Sequence, residues 1–286
     1  MLHALVIGVD APRDPRVRPL EHARADAEGV AAALHDRAES ERQIHLFVGE
    51  QATKPAVARA ITEELPRCVD PSDTVLLYFA GYGSPELERD FEPSLHLVLA
   101  DTELARLPQT SMDLLAELGP WIRRLPARVV VIVLDASFNG MPGGRTFEGP
   151  GLRRGPRLRA LDRLSPSRAG VGGRFAILTA STDKEVARED TAYEHGVFTH
   201  HLIAALRGPD LEGRAVTASM LHAAVAEPVR ASTGGRQNPA LHGGASHVPL
   251  LVVRPDVTGR ASSGATGATV MTGASVMTGA SGASGV

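Results

Sequence analysis

Leu76-Leu77-Tyr78-Phe79-Ala80-Gly81-Tyr82-Gly83-Ser84 and Val131-Ile132-Val133-Leu134-Asp135-Ala136-Ser137-Phe138-Asn139-Gly140 are the two segments that decide the fold. Each is a continuous apolar run that ends in small residues, a pattern typical of a buried strand leading into a turn. Such strands occur where helices cover both faces of a parallel sheet. Because ligand sites of these sheets form beyond the carboxyl ends of the strands, the residues that end the two segments are candidates for function.

The composition indicates a globular chain with one sizeable core. The 286 residues are 43% hydrophobic, and a net charge of -3 with a pI near 6.4 argues against nucleic acid or an anionic membrane as a partner. Cys68 is the only cysteine, which excludes an intramolecular disulfide and a multi-cysteine metal site. Residues 1–10 predict a first strand rather than a signal peptide. No apolar stretch approaches the roughly 20 residues that span a bilayer, so we expect a cytoplasmic protein.

Short apolar runs alternate with helical patterns along most of the chain. This alternation predicts an α/β sheet covered on both faces. The predicted strands span residues 2–9, 43–48, 74–80, 128–134, 174–180 and 249–253, and residues 95–99 alternate like a partly exposed strand or hairpin arm. The predicted helices span residues 25–36, 54–69, 111–125, 197–206 and 218–231.

Two segments depart from this alternation. Residues 143–173 are rich in Gly, Pro and Arg without a hydrophobic period, which predicts a long internal loop or mobile linker. From Ala261 onward the chain contains only small residues, Val and Met, and the hexamer at 270–275 repeats at 276–281. Such a composition cannot bury a core. We therefore expect one domain over residues 1–254 and a disordered tail over residues 255–286.

The order and spacing of several segments resemble the caspase-like cysteine peptidases, the clan of caspases, metacaspases and bacterial orthocaspases. In that family the first of the two quoted segments ends in a His-Gly pair that carries the base. The second ends in Asp-x-Cys-x-x-Gly, which carries the nucleophile. Similar segments elsewhere in this chain are 4–10, 20–27, 73–81, 178–181, 196–199, 206–208 and 236–239. The resemblance implies a caspase-like three-layer α/β fold, a mostly parallel six-stranded sheet with helices on both faces.

Both catalytic positions of the family are replaced in this chain. Tyr82 stands at the histidine position and Ser137 at the cysteine position. A phenol titrates near 10 and is a poor base at neutral pH, and a serine hydroxyl depends on a base more than a thiol does. The sequence therefore predicts a protein that is inactive as a peptidase. A serine hydrolase remains an open alternative if a histidine reaches Ser137, the candidates being His22, His96 and His195.

The resemblance also implies a pocket for a basic side chain. In metacaspases and orthocaspases, acidic residues at the positions of Asp26 and Asp135 hold a substrate Arg or Lys, and a guanidinium is the natural partner of buried carboxylates. Gly83 and the backbone N–H of Ser137 resemble the donors of the oxyanion hole, although small residues after strands are also common in turns, and Ser181 is expected to line the pocket. A structural alternative stays open for both acids, since Asp135 could cap a turn and Asp26 could be an ordinary acid at a helix start.

The loop at 143–173 is rich in arginine. A solvated basic loop is the general expectation for such a segment. Three alternatives remain: an arginine docks into the acidic pocket of its own chain, a partner protease cuts the loop, or the loop contacts an acidic surface. The arginines in or beside it are Arg145, Arg153, Arg154, Arg157, Arg159, Arg163, Arg168 and Arg174.

Together these features predict a pseudopeptidase, a binding or regulatory module that recognises an Arg- or Lys-bearing segment of a partner or of its own loop. The resemblance connects such domains with bacterial conflict or cell-death systems. The rival functions are an active hydrolase with Ser137 as nucleophile and a structural scaffold with a non-functional pocket. The sequence shows no cofactor motif and no metal-ligand spacing, so we expect no cofactor and no metal. The calcium requirement of some metacaspases cannot be transferred without matching ligands.

Overall fold

A computed structural model describes residues 1–87, 93–140, 143–146, 173–255 and 270–272. Its strands are β1 (Leu2–Gly8), β2 (Arg42–Val48), β3 (Thr74–Ala80), β4 (Gly83–Leu87), β5 (Pro93–Leu97), β6 (Met112–Asp113), β7 (Val129–Asp135), β8 (Phe175–Thr179), β9 (Glu189–Asp190), β10 (His195–Gly196), β11 (Ala215–Thr217), β12 (Ala240–His242), β13 (Pro249–Val252) and β14 (Val270–Thr272). Its α-helices are α1 (Ala23–Arg37), α2 (Lys54–Arg59), α3 (Leu65–Cys68), α4 (Leu107–Thr110), α5 (Gly119–Arg123), α6 (Val197–Arg207) and α7 (Ala218–Ser232). One π-helical turn, Ala60–Glu64, joins α2 to α3, and another, Leu114–Leu118, leads into α5.

The central sheet has the strand order β12-β8-β7-β3-β1-β2-β14. All of its neighbouring strands are parallel except β12, which runs antiparallel to β8. The six strands from β12 to β2 confirm the predicted mostly parallel six-stranded sheet, and β14 adds a short parallel pairing beside β2. Smaller antiparallel sheets are formed by β4-β5-β6, by β9-β10 and by β11-β13.

Helices pack on both faces of the central sheet, and β1 shows how its side chains divide between them. Leu2, Ala4 and Val6 face the core cluster to which α1, α6 and α7 contribute. Leu5 and Ile7 face the other cluster, built with the helical stretches 54–68 and 114–123. Successive side chains of a strand point to opposite faces, so a strand buried on both sides must be apolar at every position. The continuous apolar runs of the sequence therefore correspond to the centre of the sheet.

Three sequence-based element predictions require correction. The hairpin arm at 95–99 is present as β5, but it is buried rather than partly exposed, because Leu95, Leu97 and Leu99 belong to the core. The strand at 249–253 exists as β13, yet it pairs with β11, and β12 takes the edge of the central sheet. The helix expected at 111–125 begins only at 114, because Met112–Asp113 forms β6 and the Asp113 carboxylate accepts the N–H groups of the following turn.

The loop and the tail lie largely outside the described residues. Within the predicted loop 143–173, the structure describes residues 143–146 and residue 173. Within the tail predicted to be disordered, Val270–Thr272 forms β14, and residues 256–269 and 273–286 lie outside the described part. Throughout the described ranges, no helix combines the length and the apolar character that crossing a membrane requires.

Gly8 allows α1 to approach the end of β1 closely. An added Cβ at Gly8 would lie 2.5 Å from the carbonyl oxygen of Ala23 and 2.7 Å from the Cβ of Ala27. Both neighbours belong to the first turns of α1 and cannot rotate away as a long side chain could. The same turns carry Asp26, so this contact helps to set where that carboxylate lies relative to the sheet.

We predict that Gly8→Ala lowers the free energy of unfolding by about 1–3 kcal/mol, because the added methyl group overpacks the contact between β1 and α1. Denaturant-induced unfolding measures this change. Gly173→Ala is the control, since no atom lies within 4 Å of an added Cβ there. Equal stability of the two variants would contradict the proposed role of Gly8.

Candidate functional site

The candidate site lies where β3 and β7 end side by side. Ala80, the last residue of β3, is in register with Asp135, the last residue of β7. Tyr82 and Gly83 follow β3, and Ser137 follows β7. The turn after β7 approaches Gly83 so closely that a Cβ there would collide with the Ser137 carbonyl oxygen and the ring of Phe138. The family-like spacing of the two segments therefore places the backbone N–H groups of Gly83 and Ser137 at one edge of the sheet.

The centre of the site is the guanidinium of Arg145, which is fully buried among three carboxylates. Nη1 lies 2.9 Å from Asp135 Oδ2. Nη2 lies 2.9 Å from Glu189 Oε1 and also donates to Asp26 Oδ2. The side chains of Asp26 and Asp135 are themselves fully buried, whereas that of Glu189 is 17% exposed. The two acids predicted to form a pocket for a basic side chain thus converge on an arginine of the same chain.

Each of these carboxylates is held by further donors. Asp26 Oδ1 lies 2.9 Å from His195 Nδ1 and accepts the Gly196 N–H at 3.0 Å. Glu189 accepts the N–H groups of Glu21 and His22 at 3.0 and 2.9 Å, just before α1. These contacts connect α1 with β9 and β10, so Asp26 and Glu189 have hydrogen-bond donors in addition to Arg145.

Asp135 is oriented by a chain of hydroxyl groups. Its Oδ2 accepts the hydroxyl of Thr199 at 2.6 Å. The Thr199 oxygen lies 2.5 Å from the Tyr78 hydroxyl, and since Thr199 gives its proton to Asp135, Tyr78 must be the donor. Gly196 leaves the space for this arrangement, because a Cβ there would lie 2.5 Å from Asp135 Oδ2 and 2.9 Å from Arg145 Cζ.

The pKa values of the two aspartates shift in opposite directions although both pair with Arg145. Burial acts to raise the pKa of Asp26, but Arg145 and the donors His195 and Gly196 outweigh it, and the pKa is lowered. Burial raises the pKa of Asp135 to about 6, opposed by Arg145 and assisted by the nearby charge of Asp26. Asp135 has fewer donors, and its Oδ1 has no hydrogen-bond partner among the described residues. As the pH falls, Asp135 is therefore the first of the two to take up a proton.

The backbone of Arg145 is held as firmly as its side chain. Its carbonyl oxygen accepts the N–H groups of Gly83 and Ser137, each at 3.0 Å. Its own N–H donates to the carbonyl oxygen of Ala187 at 2.9 Å. The next residue, Thr146, forms a parallel bridge with Gly83, and its hydroxyl accepts the Gly140 N–H at 3.1 Å. Gly83 and Ser137, predicted from the sequence to be the oxyanion-hole donors, therefore both donate to the carbonyl oxygen of Arg145.

Ser137 and Tyr82, the two positions predicted from the sequence to match the family's dyad, have different surroundings. Ser137 Oγ accepts the Ala187 N–H at 2.5 Å and lies 3.2 Å from the Ser181 hydroxyl, and neither group is a base. Tyr82 is nearly buried and packs in a small apolar cluster with Val17, and burial raises the pKa of its phenol. This phenol is therefore protonated at neutral pH.

None of the three histidine candidates is a hydrogen-bond partner of Ser137 within the described part of the chain. His96 is buried between the hydroxyls of Ser94 and Ser111, at 2.8 and 2.9 Å. His195 contacts Asp26, as described above, and His22 lies 3.7 Å from a carboxylate oxygen of Glu21.

The structure brings together Asp26, Asp135, Gly83, Ser137 and Ser181, all named from the sequence. It adds Glu189 and Ala187, for which the sequence offered no local signal, and Thr199, whose segment 196–199 resembles the family but was not assigned to the site. The general expectation of a solvated basic loop is wrong for Arg145. Arg174 lies at the start of β8, where its side chain donates to the Ala127 carbonyl oxygen at 2.8 Å. The remaining loop arginines, Arg153, Arg154, Arg157, Arg159, Arg163 and Arg168, lie outside the described residues.

Comparison with known proteins supports the fold described above. The family model described as "Caspase domain" matches residues 1–246. No curated protein matches the chain. The crystal structure of protein GSU0716 from Geobacter sulfurreducens is similar, with a TM-score of 0.63 and 15% identity, over 88% of this chain and 99% of that one. Caspase-1 from Spodoptera frugiperda is similar with a TM-score of 0.54 and 14% identity, over 90% of this chain and 91% of that one. At such identities the two structures are evidence for the fold alone.

We predict that Arg145→Met lowers the free energy of unfolding by about 3–5 kcal/mol, because it leaves buried carboxylates without their cation. Urea-induced unfolding at neutral pH measures the change. Arg230→Met is the matched control, since Arg230 pairs with Glu227 and both side chains are mostly exposed, at 58% and 67%, so we expect little effect. Adding Asp26→Asn and Asp135→Asn to Arg145→Met should recover part of the loss. Equal effects of the two single variants would contradict the role of Arg145.

We also predict a pH dependence that originates at Asp135. Its pKa is raised from 3.8 to about 6 by folding, so its contribution to stability is present at low pH and is lost as the pH rises through about 6. Asp135→Asn should therefore remove this decline from a plot of unfolding free energy against pH. Asp73→Asn is the control. The pKa of Asp73 is lowered from 3.8 to about 2, so its contribution to stability is present above pH 3.8 and is lost as the pH falls toward 2. An unchanged slope in Asp135→Asn would show that the carboxyl group titrates elsewhere.

Proposed function

Because the chain belongs to the caspase-domain family, we propose that it is a pseudopeptidase of that family, a binding or regulatory module that recognises arginine without cleaving the chain that carries it. The ligand is its own loop, through Arg145, or an Arg- or Lys-bearing segment of a partner protein that takes the same place. A cytoplasmic setting and a role in a bacterial conflict or cell-death system are parts of this proposal that rest on the family resemblance alone.

The observation that carries the proposal is the way Arg145 is bound. Its guanidinium contacts Asp26, Asp135 and Glu189, while its carbonyl oxygen accepts two backbone N–H groups. A structural salt bridge needs only the first set of contacts. The second set is the arrangement that stabilises an oxyanion during peptide cleavage. Both sets acting on one residue support the view that Arg145 occupies a substrate site.

The side chains beside that carbonyl group support binding without cleavage. A peptidase needs a nucleophile whose proton is removed by an adjacent base. Ser137 Oγ accepts a hydrogen bond from the Ala187 N–H and contacts the hydroxyl of Ser181, and the family's histidine position holds the phenol of Tyr82. The two N–H donors on the Arg145 carbonyl oxygen, with no base among the described groups that contact Ser137, support binding of the Arg145–Thr146 peptide bond without its cleavage.

Two other functions remain as alternatives to this proposal. An active hydrolase would use Ser137 with a base brought near by rearrangement, and it predicts turnover of arginine peptides that Ser137→Ala abolishes. A scaffold would use the ion cluster only for stability, and it predicts that no external arginine peptide binds when Arg145 is removed. Two N–H groups from separate segments that converge on the Arg145 carbonyl oxygen favour the binding module over the scaffold, for which a single partner would satisfy this buried group.

The proposal predicts that Tyr82→His combined with Ser137→Cys converts the protein into one that cleaves itself after Arg145. The two changes restore a base and a thiol beside a carbonyl group that already accepts two N–H bonds. Mass spectrometry of the purified chain over time should show fragments 1–145 and 146–286. The wild-type protein should stay intact under the same conditions.

Adding Arg145→Gln to the double variant is the matched control, and it should prevent cleavage at this bond. A folded double variant that stays intact would contradict the assignment of the substrate site. Self-cleavage or peptide turnover by the wild-type protein that is lost in Ser137→Ala would establish the hydrolase instead.

A further inference from the structure

Gly144, the residue before Arg145, lies so close to residues 186–187 that it has no room for a side chain. A Cβ at this position would lie 2.7 Å from the Ala187 carbonyl oxygen and 2.9 Å from Val186 Cγ2, and closer still to Val186 Cβ. The obstacles are a backbone atom and the stem of a β-branched side chain, which is stiff about χ1. Neither can swing aside as the end of a long side chain would. A larger residue at 144 therefore requires the backbone itself to move.

This crowding follows from the hydrogen bond that holds the arginine. The Arg145 N–H donates to the Ala187 carbonyl oxygen at 2.9 Å, which draws the chain before Arg145 onto the segment 186–187. The guanidinium of Arg145 is held by the carboxylates, and its carbonyl oxygen is held by the N–H groups of Gly83 and Ser137. Any peptide whose arginine makes the same contacts brings its preceding residue against the same wall.

The sequence of the loop agrees with this restriction. Of the eight arginines in or beside residues 143–173, only Arg145 and Arg174 directly follow a glycine. Arg174 is committed to the start of β8 through the Ala127 carbonyl oxygen. Arg145 is thus the one of the eight that follows a glycine and does not stand directly before a strand of the central sheet. Gly143, before the pair, has a φ of 88°, a backbone conformation that also favours glycine.

We propose that the pocket recognises a two-residue signal, a glycine followed by an arginine, and that Val186 and Ala187 impose the requirement for glycine. The ligand class is an extended peptide with an internal Gly-Arg step, supplied in cis by residues 144–145 or in trans by a segment that displaces them. The inference rests on the proposed function, because it takes the arginine site as a site for peptide ligands. It adds the identity of the residue next to the arginine, which the acidic pocket alone does not specify.

The binding test uses the full chain carrying Arg145→Ala and three blocked fluorescent peptides, Gly-Gly-Arg-Thr, Gly-Ala-Arg-Thr and Gly-Gly-Gln-Thr, measured by anisotropy. We expect the first to bind, the second to bind at least about tenfold more weakly because of overpacking, and the third not to bind. Adding Val186→Gly should narrow the gap between the first two peptides. Equal binding of the first two overturns the glycine requirement but leaves the arginine site standing. Absence of binding by both, in a variant that a cooperative unfolding curve shows to be folded, contradicts the proposed function itself.

A second measurement does not require Arg145 to be removed. Trypsin cleavage after Arg145, followed by mass spectrometry, reports how often this arginine leaves its buried site. We expect slow cleavage in the wild-type protein and cleavage at least about tenfold faster in Gly144→Ala, because the added methyl group weakens docking. Gly173→Ala is the matched control, since it too precedes an arginine but has open space around its Cβ. Equal protection of Arg145 in all three proteins overturns the inference.

Discussion

The rest of the site depends on one guanidinium that neutralises carboxylates from separate parts of the chain. Asp26 comes from α1, Asp135 from the end of β7 and Glu189 from β9. Buried acids this close to one another are costly without a cation, and breaking such a cluster is far more destabilising than its formation is stabilising. Arg145 therefore connects the first half of the chain, with β1 to β7, to the second half, with β8 to β13. Residues 143–146, at the start of the segment between the two halves, are thus part of the site.

The centre of the fold was predictable from sequence and its margins were not. Strands such as β3 and β7 are buried on both faces, so every position is apolar and the run is visible without any tertiary information. The edge strand β12 has three half-buried residues and no such run, and the prediction assigned the last strand to β13 instead. A short strand receives its identity from the neighbour with which it pairs, which a local pattern does not contain.

The same division holds within the site. Asp26, Asp135, Gly83 and Ser137 were identified because they stand in segments whose order resembles a family. Glu189 lies in a segment with no distinctive pattern, and Thr199 was not named as a site residue although its segment, 196–199, resembles the family. Both enter the site because β9 and α6 pack against α1 and the end of β7. The burial of Arg145 was also invisible locally. Its preceding residue, Gly144, lies against Val186 with no room for a Cβ, a contact between two segments far apart in sequence.

The raised pKa of Asp135 has a consequence for how quickly one arginine could replace another. While Arg145 is bound, its positive charge opposes the effect of burial on this carboxyl group. Once Arg145 leaves, that opposition disappears, and a proton is the smallest cation that can take its place. Protons therefore act as a temporary occupant that the next arginine has to expel. Under the proposed function, exchange of the cis segment for a trans peptide would therefore be coupled to proton binding, and its extent would depend on pH as well as on the concentration of the competing peptide.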